Sequence, residues 1–225
     1  QNEAAVRQVV VGIIGINGRF GQLLKSFFGQ LGCSVIGSDE KKPTGLSNAQ
    51  VVQQSEVVIF SVPIKDTPAV IRSVLHGVRE DQLLMDVTSI KQPAVEAMLE
   101  SKAQVVGLHP MFRPEVPFDG QTVVACPVRL TAPDWKTWVV NMLTATRAQI
   151  KWSTPAEHDG YMMTVQVIPH LGNLTSALLI TEAGVSVSES LAFTSPFSRV
   201  MLSLMGRLVS QSPGLYTSIV MENPE

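Results

Sequence analysis

Hydrophobic positions near the start of the chain come first as a run and then as a stripe. Val9-Val10-Val11-Gly12-Ile13-Ile14 is β-branched and almost wholly apolar, the pattern of a central parallel strand covered by helices on both faces. After a glycine-containing turn, Phe20, Leu23, Leu24, Phe27, Phe28 and Leu31 recur at helical spacing. They predict one amphipathic helix lying on the sheet, ended at Gly32. Ser34 to Asp39 then reads as a second strand that finishes in an acid, which makes the unit βαβ.

The same rhythm continues with a polar helix near Ser47 to Gln54, a strand Val57 to Val62, a helix Pro68 to Leu75 and a strand Leu83 to Val87. Further strands are expected at Val105 to Leu108, Gln121 to Ala125 and Gln149 to Trp152. Strands alternating with helices predict a doubly wound parallel sheet. From Pro155 the rhythm stops, and Ala156 to Leu179 and Ser195 to Ser210 are helical in pattern. The expected architecture is an α/β domain over residues 1–153 followed by a smaller all-helical domain over 154–225.

Composition narrows the picture mainly by exclusion. A chain of 225 residues that is 45% hydrophobic can bury a substantial core. Its net charge of −2, with no run of five Lys or Arg, argues against a nucleic-acid partner. Val9 to Ile16 is about half the length of a membrane span, so no transmembrane helix and no membrane partner are expected. The mixed, polar first residues do not resemble a signal peptide. Cys33 and Cys126 stand far apart, which reads as two buried reduced thiols in a cytoplasmic protein.

Candidate chemistry starts at the first turn. Gly15-Ile16-Asn17-Gly18-Arg19-Phe20-Gly21 joins the first strand to the first helix, where backbone without side chains lets a pyrophosphate reach the amides of a helix N-terminus. The glycines follow GxxGxxG, with Asn17 where the commoner GxGxxG has its middle glycine. Asp39, 24 positions after Gly15, is placed to accept hydrogen bonds from the adenosine ribose and to repel a 2′-phosphate, so NAD is expected rather than NADP. Lys41 and Lys42 soften that preference. The first domain is therefore read as a Rossmann-like, NAD-binding one.

Four segments carry a resemblance: the glycine turn, Ser61-Val62-Pro63-Ile64, Asp86-Val87-Thr88-Ser89-Ile90-Lys91 and Leu108-His109-Pro110-Met111-Phe112. Glu157-His158-Asp159, Ile168-Pro169-His170, Ser195-Pro196 and Met205-Gly206-Arg207 continue it. Together they resemble the prephenate and arogenate dehydrogenase family, above all the branch that holds the T-protein dehydrogenase domain. The resemblance implies NAD-dependent oxidative decarboxylation of a prephenate-like substrate in tyrosine biosynthesis, by a homodimer. It implies that His109 takes the proton of the substrate's ring hydroxyl, for which an ordinary histidine pKa of about 6.5 suits. Ser89 would orient that hydroxyl, Arg207 would anchor a carboxylate, His170 would lie near the substrate side chain, and Arg199 would be a further cation. Val62 and Pro63 join the cofactor turn as nucleotide contacts. Lys91 is read as a structural or electrostatic residue at the rim, and His158-Asp159 as capping or pinning the junction between the domains.

Two departures bear on function. After Phe112 the family has Gly-Pro, whereas Arg113-Pro114-Glu115 stands here, so Arg113 is expected either to lower the His109 pKa and bind a carboxylate or to pair with Glu115. The resemblance also implies further helices after Glu225, so the helical domain looks short. Arogenate and 4-amino-4-deoxyprephenate stay open as substrates, and a catalytically weak dinucleotide-binding regulator stays open as the alternative. Three of the four histidines lie in these segments, but none has close ligand spacing, so no metal is expected.

Overall fold

The computed structural model describes residues 6–210 and 213–224. It divides into two compact units, one ending at His158 and one beginning at Asp159. In the first, β1 (Val10–Ile14) leads into α1 (Arg19–Gln30) and β2 (Ser34–Ser38), followed by α2 (Asn48–Gln54), β3 (Val57–Phe60), α3 (Thr67–Val74), β4 (Leu83–Asp86) and α4 (Gln92–Leu99). Then come β5 (Gln104–Pro110), β6 (Thr122–Arg129), α5 (Pro133–Ala145), β7 (Gln149–Trp152) and α6 (Pro155–Met162), whose last residues enter the second unit.

The sheet order is β2-β1-β3-β4-β5-β6-β7. β2 through β5 are parallel, β6 runs antiparallel to β5, and β7 is parallel to β6. The expected doubly wound sheet is present, but as a mixed sheet that is mostly parallel. Residue polarity could not reveal the reversal, because strands buried on both faces read alike in either direction.

Alternation along each strand explains why helices cover both faces. Val11, Ile13, Val57, Ile59, Leu83 and Met85 point to one face, where they meet Leu24 and Phe28 of α1 and Trp138, Val139 and Met142 of α5. Ile14, Val58, Phe60 and Leu84 point to the other, against Val51 and Val52 of α2, Ile71 of α3 and Val95 of α4. The α1 stripe read from the sequence is this contact. α5 was not anticipated, although Trp135, Trp138, Val139, Met142 and Leu143 are buried at helical spacing and carry the signal that predicts it.

In the second unit α6 continues through a π-helical turn, Met163–Val167, into α7 (Ile168–Glu182). Pro169 explains the widened turn: it lacks an N–H and its ring crowds the carbonyl four residues back, and one π turn accommodates both. α8 (Val187–Ser190), α9 (Pro196–Val209) and α10 (Pro213–Met221) follow. α9 starts with a capping box in which Ser195 and Ser198 satisfy each other's backbone N–H, and it packs on α7. The helix from Pro155 to Glu182, 28 residues long, is long and apolar enough by length and composition to cross a membrane. A core helix of a soluble protein meets the same measure, and the expectation of no transmembrane helix rests on Val9 to Ile16 alone.

Candidate active site

The expected residues of the first unit gather at the carboxyl ends of the parallel strands. In this strand order the chain runs from β1 to β2 on one side and from β3 to β4 on the other, and the crevice between such diverging connections is where open α/β sheets bind ligands. Gly15 follows β1 with φ +90 and lies so close to β3 that an added Cβ would sit 2.3 Å from the Ser61 carbonyl oxygen. At Gly21 an added Cβ would meet the Gly15 oxygen at 2.2 Å. These two glycines therefore let strand, turn and helix close on one another. Gly18 is the N-cap of α1 and provides no side-chain cap, and the first turn holds no acid. The opening amides of a 12-residue helix, those of Arg19, Phe20 and Gly21 among them, thus face an anion without a competing carboxylate from the same turn. This cradle fits a dinucleotide pyrophosphate.

Asn17, the unusual residue of the turn, has a structural task. Its side-chain Nδ2 donates to the Lys42 carbonyl at 2.7 Å, and its backbone N–H donates to Asp39 Oδ2 at 3.2 Å. The other Asp39 oxygen accepts from the amides of Lys41 and Lys42 at 3.0 and 2.9 Å. The carboxylate is thereby held beside the glycine turn just past β2. Val62 and Pro63 follow β3 in a loop whose carbonyls accept from the Thr67 hydroxyl at 3.3 and 3.0 Å.

Ser89 lies half-buried in the loop between β4 and α4. The N-cap of α4 is Lys91, so Ser89 lies ahead of that helix. The loop is built around Asp86, whose Oδ2 accepts from the Thr88 N–H at 3.0 Å, from the Thr88 hydroxyl at 2.6 Å, and from the Lys91 ammonium. Lys91 is wholly buried, which corrects its placement at the rim: Asp86 and the Leu108 carbonyl, 2.6 Å from Nζ, make burial of the charge tolerable.

His109 ends β5 and is buried, 3% exposed. Its Nδ1 lies 2.8 Å from Nε2 of His158, which is also buried. Thr154, whose hydroxyl accepts from the Glu157 N–H at 3.2 Å, does the capping that had been expected of His158-Asp159. His158 instead lies within hydrogen-bond distance of the His109 ring. Burial holds the His109 pKa well below 6.5, helped by the charges of His158 and Lys91. Arg113 is not among those causes; it pairs with Glu115 at 3.2 Å, and Glu115 also pairs with Arg19 at the start of α1. The ring of Phe112 lies 6.1 Å from that of Phe20, so the loop after His109 rests on the cofactor helix.

A histidine buried in its neutral form links stability to pH. Below about pH 6.5 the unfolded chain takes up a proton at this position that the folded protein resists. Its contribution is therefore complete above pH 6.5 and lost progressively as pH falls toward the depressed folded value. Urea unfolding between about pH 8 and pH 5 should show stability falling with acid, and His109→Asn should flatten that slope. Parallel slopes in the two proteins would mean that other groups govern acid sensitivity.

The remaining expected residues belong to the helical unit. His170, at the start of α7, packs its ring 4.7 Å from that of Tyr216, and burial lowers its pKa. Arg199 and Arg207 are both exposed on α9, and Arg199 Nη2 donates to the Thr194 hydroxyl at 3.4 Å. Among the described residues no group of histidine, cysteine, aspartate and glutamate forms a metal site.

Residues 39–152 match the family described as prephenate dehydrogenase, nucleotide-binding domain. Residues 154–225 match that described as prephenate dehydrogenase, dimerization domain. The chain is 32% identical to the probable arogenate/prephenate dehydrogenase of Methanocaldococcus jannaschii, over 96% of this chain and 52% of that protein. It is 33% identical to the T-protein of Enterobacter agglomerans, over 94% of this chain and 56% of that one. It spans about half the length of these relatives. In fold it is similar to the prephenate dehydrogenase of A. aeolicus in complex with hydroxyphenyl propionate and NAD+, with a TM-score of 0.73 at 20% identity, covering 98% of this chain and 84% of that one.

Proposed function

The chain belongs to the prephenate dehydrogenase family, whose nucleotide-binding and dimerization domains it carries, and from that premise we propose that it oxidatively decarboxylates prephenate or a close analogue. With prephenate the product is 4-hydroxyphenylpyruvate, a step toward tyrosine. The observation that carries this reading is the buried His109 imidazole at the end of β5, held by His158 at 2.8 Å and kept in its neutral form by burial. A neutral imidazole accepts a proton. His109 takes the proton of the substrate's ring hydroxyl through Nε2 while a carbonyl develops, and returns it to the oxygen as carbon dioxide leaves and the ring becomes aromatic. NAD+, when bound, accepts the hydride from ring carbon 4.

Ser89 orients the hydroxyl, and Arg207 holds a substrate carboxylate with its planar fork. His170, Arg199 and Arg113 are assigned to the rest of the substrate, Arg113 after exchanging Glu115 for a substrate anion. Gly15, Asn17, Gly18, Arg19, Phe20, Gly21, Val62 and Pro63 hold the dinucleotide. Asp39 takes the adenosine ribose and disfavours a 2′-phosphate, so NAD+ is preferred to NADP+. The working protein is a cytoplasmic homodimer. A second copy would cover the apolar side chains that the helical unit exposes, among them Ile168, Leu171, Leu178 and Leu179 of α7 and Phe197 and Val200 of α9.

The test is reduction of the nicotinamide, followed by its absorbance, with NAD+ or NADP+ and with prephenate, arogenate or 4-amino-4-deoxyprephenate in separate reactions. Turnover of one substrate is expected, with kcat/KM at least about tenfold higher for NAD+. Dinucleotide binding without turnover of any of the three would overturn the catalytic reading in favour of a binding-only homologue.

A further inference from the structure

We propose that Lys91 is a positioning residue for the reaction: its buried ammonium, clamped between the Asp86 carboxylate and the Leu108 carbonyl, ties the strand end that carries His109 to the loop that carries Ser89. The inference rests on the role given above to His109. Lys91 reaches both partners from the N-cap of α4. Leu108 immediately precedes His109, and Ser89 lies between Asp86 and Lys91 in the chain. One ammonium thus fixes the backbone beside both groups that are assigned to the ring hydroxyl.

Stability alone does not account for the pair. Asp86 Oδ1 is buried with no hydrogen-bond partner among the described residues, and a buried ion pair satisfied on only one oxygen is a poor exchange for an apolar core. The surroundings are nevertheless shaped to keep it. A Cβ on Gly107 would come within 3.1 Å of Lys91 Cδ and 3.2 Å of Asp86 Oδ1, so the glycine leaves the lysine stem its room.

The charge of Lys91 also acts on the imidazole. Among the ionisable groups that bear on His109 are His158 from α6 and Lys91 from the N-cap of α4, whose ammonium pairs with Asp86. His158 and Lys91 both work in the direction of burial, toward the neutral base. The Lys91 charge lowers the His109 pKa, so removing it should make His109 easier to protonate.

The experiment compares the natural protein with the double variant Asp86→Asn/Lys91→Gln, which keeps polar groups in place and removes both charges, and with Lys91→Gln alone. Two quantities are measured: kcat and KM against pH, and the titration of the His109 ring by NMR, its signal identified by loss in His109→Asn. The expected result is a His109 midpoint moved to higher pH and KM changed by less than about twofold. Relative to its own plateau near pH 8, kcat should fall about fivefold or more by pH 5.5 in the variants, and less than about twofold in the natural protein. An unmoved titration with kcat lowered equally at all pH values would reduce Lys91 to a structural residue, and an unchanged enzyme would overturn the proposal outright. The titration needs no turnover. If no substrate is consumed by the natural protein, the catalytic reading fails while the titration still decides what Lys91 does to His109.

Discussion

Replacing His109 by asparagine should lower kcat about 10³-fold while leaving the dinucleotide Kd within about twofold of its natural value. Asparagine keeps a polar side chain of similar reach facing His158, so the β5 end and its 2.8 Å partner position are disturbed little. What disappears is the proton acceptor. General-base catalysis by a placed side chain contributes on the order of 10² to 10⁴ in rate, and burial strengthens the case by holding His109 in the accepting form across the neutral range. Steady-state turnover with whichever of the three substrates the protein consumes, paired with calorimetric titration of NAD+, separates the two effects. A loss below about tenfold would remove His109 from the chemistry, and an equal loss in dinucleotide binding would make it a structural histidine.

Gly15→Ala should have the other large effect, on binding and stability together. At φ +90 an alanine is strained, and its Cβ would lie 2.3 Å from a backbone oxygen of Ser61 that cannot move without displacing the end of β3. Strain of this kind costs about 1–3 kcal/mol before the clash is counted. We expect a melting temperature lowered by several degrees, and NAD+ affinity weakened about 100-fold as the turn swings away from the α1 amides. Gly45→Ala supplies the comparison. Gly45 also has positive φ, +88, but its Cβ would meet nothing within 4 Å, so the loss there should be confined to about 1–2 kcal/mol of backbone strain. Equal behaviour of the two variants would show that close approach to β3 is not what the glycine serves.

The parts of the fold that were legible in the sequence are those whose signal is local. A run of β-branched residues makes β1, a helical stripe makes α1, and glycines at the junction make the turn, because each depends on spacings of a few residues. The same holds for the change of rhythm near Pro155 and for Asp39 at the end of β2. α5 carries an equally local signal, in Trp135, Trp138, Val139, Met142 and Leu143, although it was not among the expected elements.

What the tertiary structure decided depends on residues far apart in the chain. The reversal of β6 against β5 is set by pairing, which polarity does not encode. The contact of His109 with His158 joins positions 49 apart, and nothing near either residue announces it. Lys91 looked like a rim residue because an isolated lysine belongs in water; it is buried because folding brings Asp86 and the Leu108 carbonyl to its ammonium. Arg113, which the sequence left open between substrate and Glu115, is paired with Glu115. The sequence by itself marked most of the elements, the glycine turn and the His109 motif, since these follow from local spacing and recognisable motifs. Only packing decided which groups surround that histidine, since its protonation and orientation depend on charges and hydrogen bonds that exist only once the sheet has assembled.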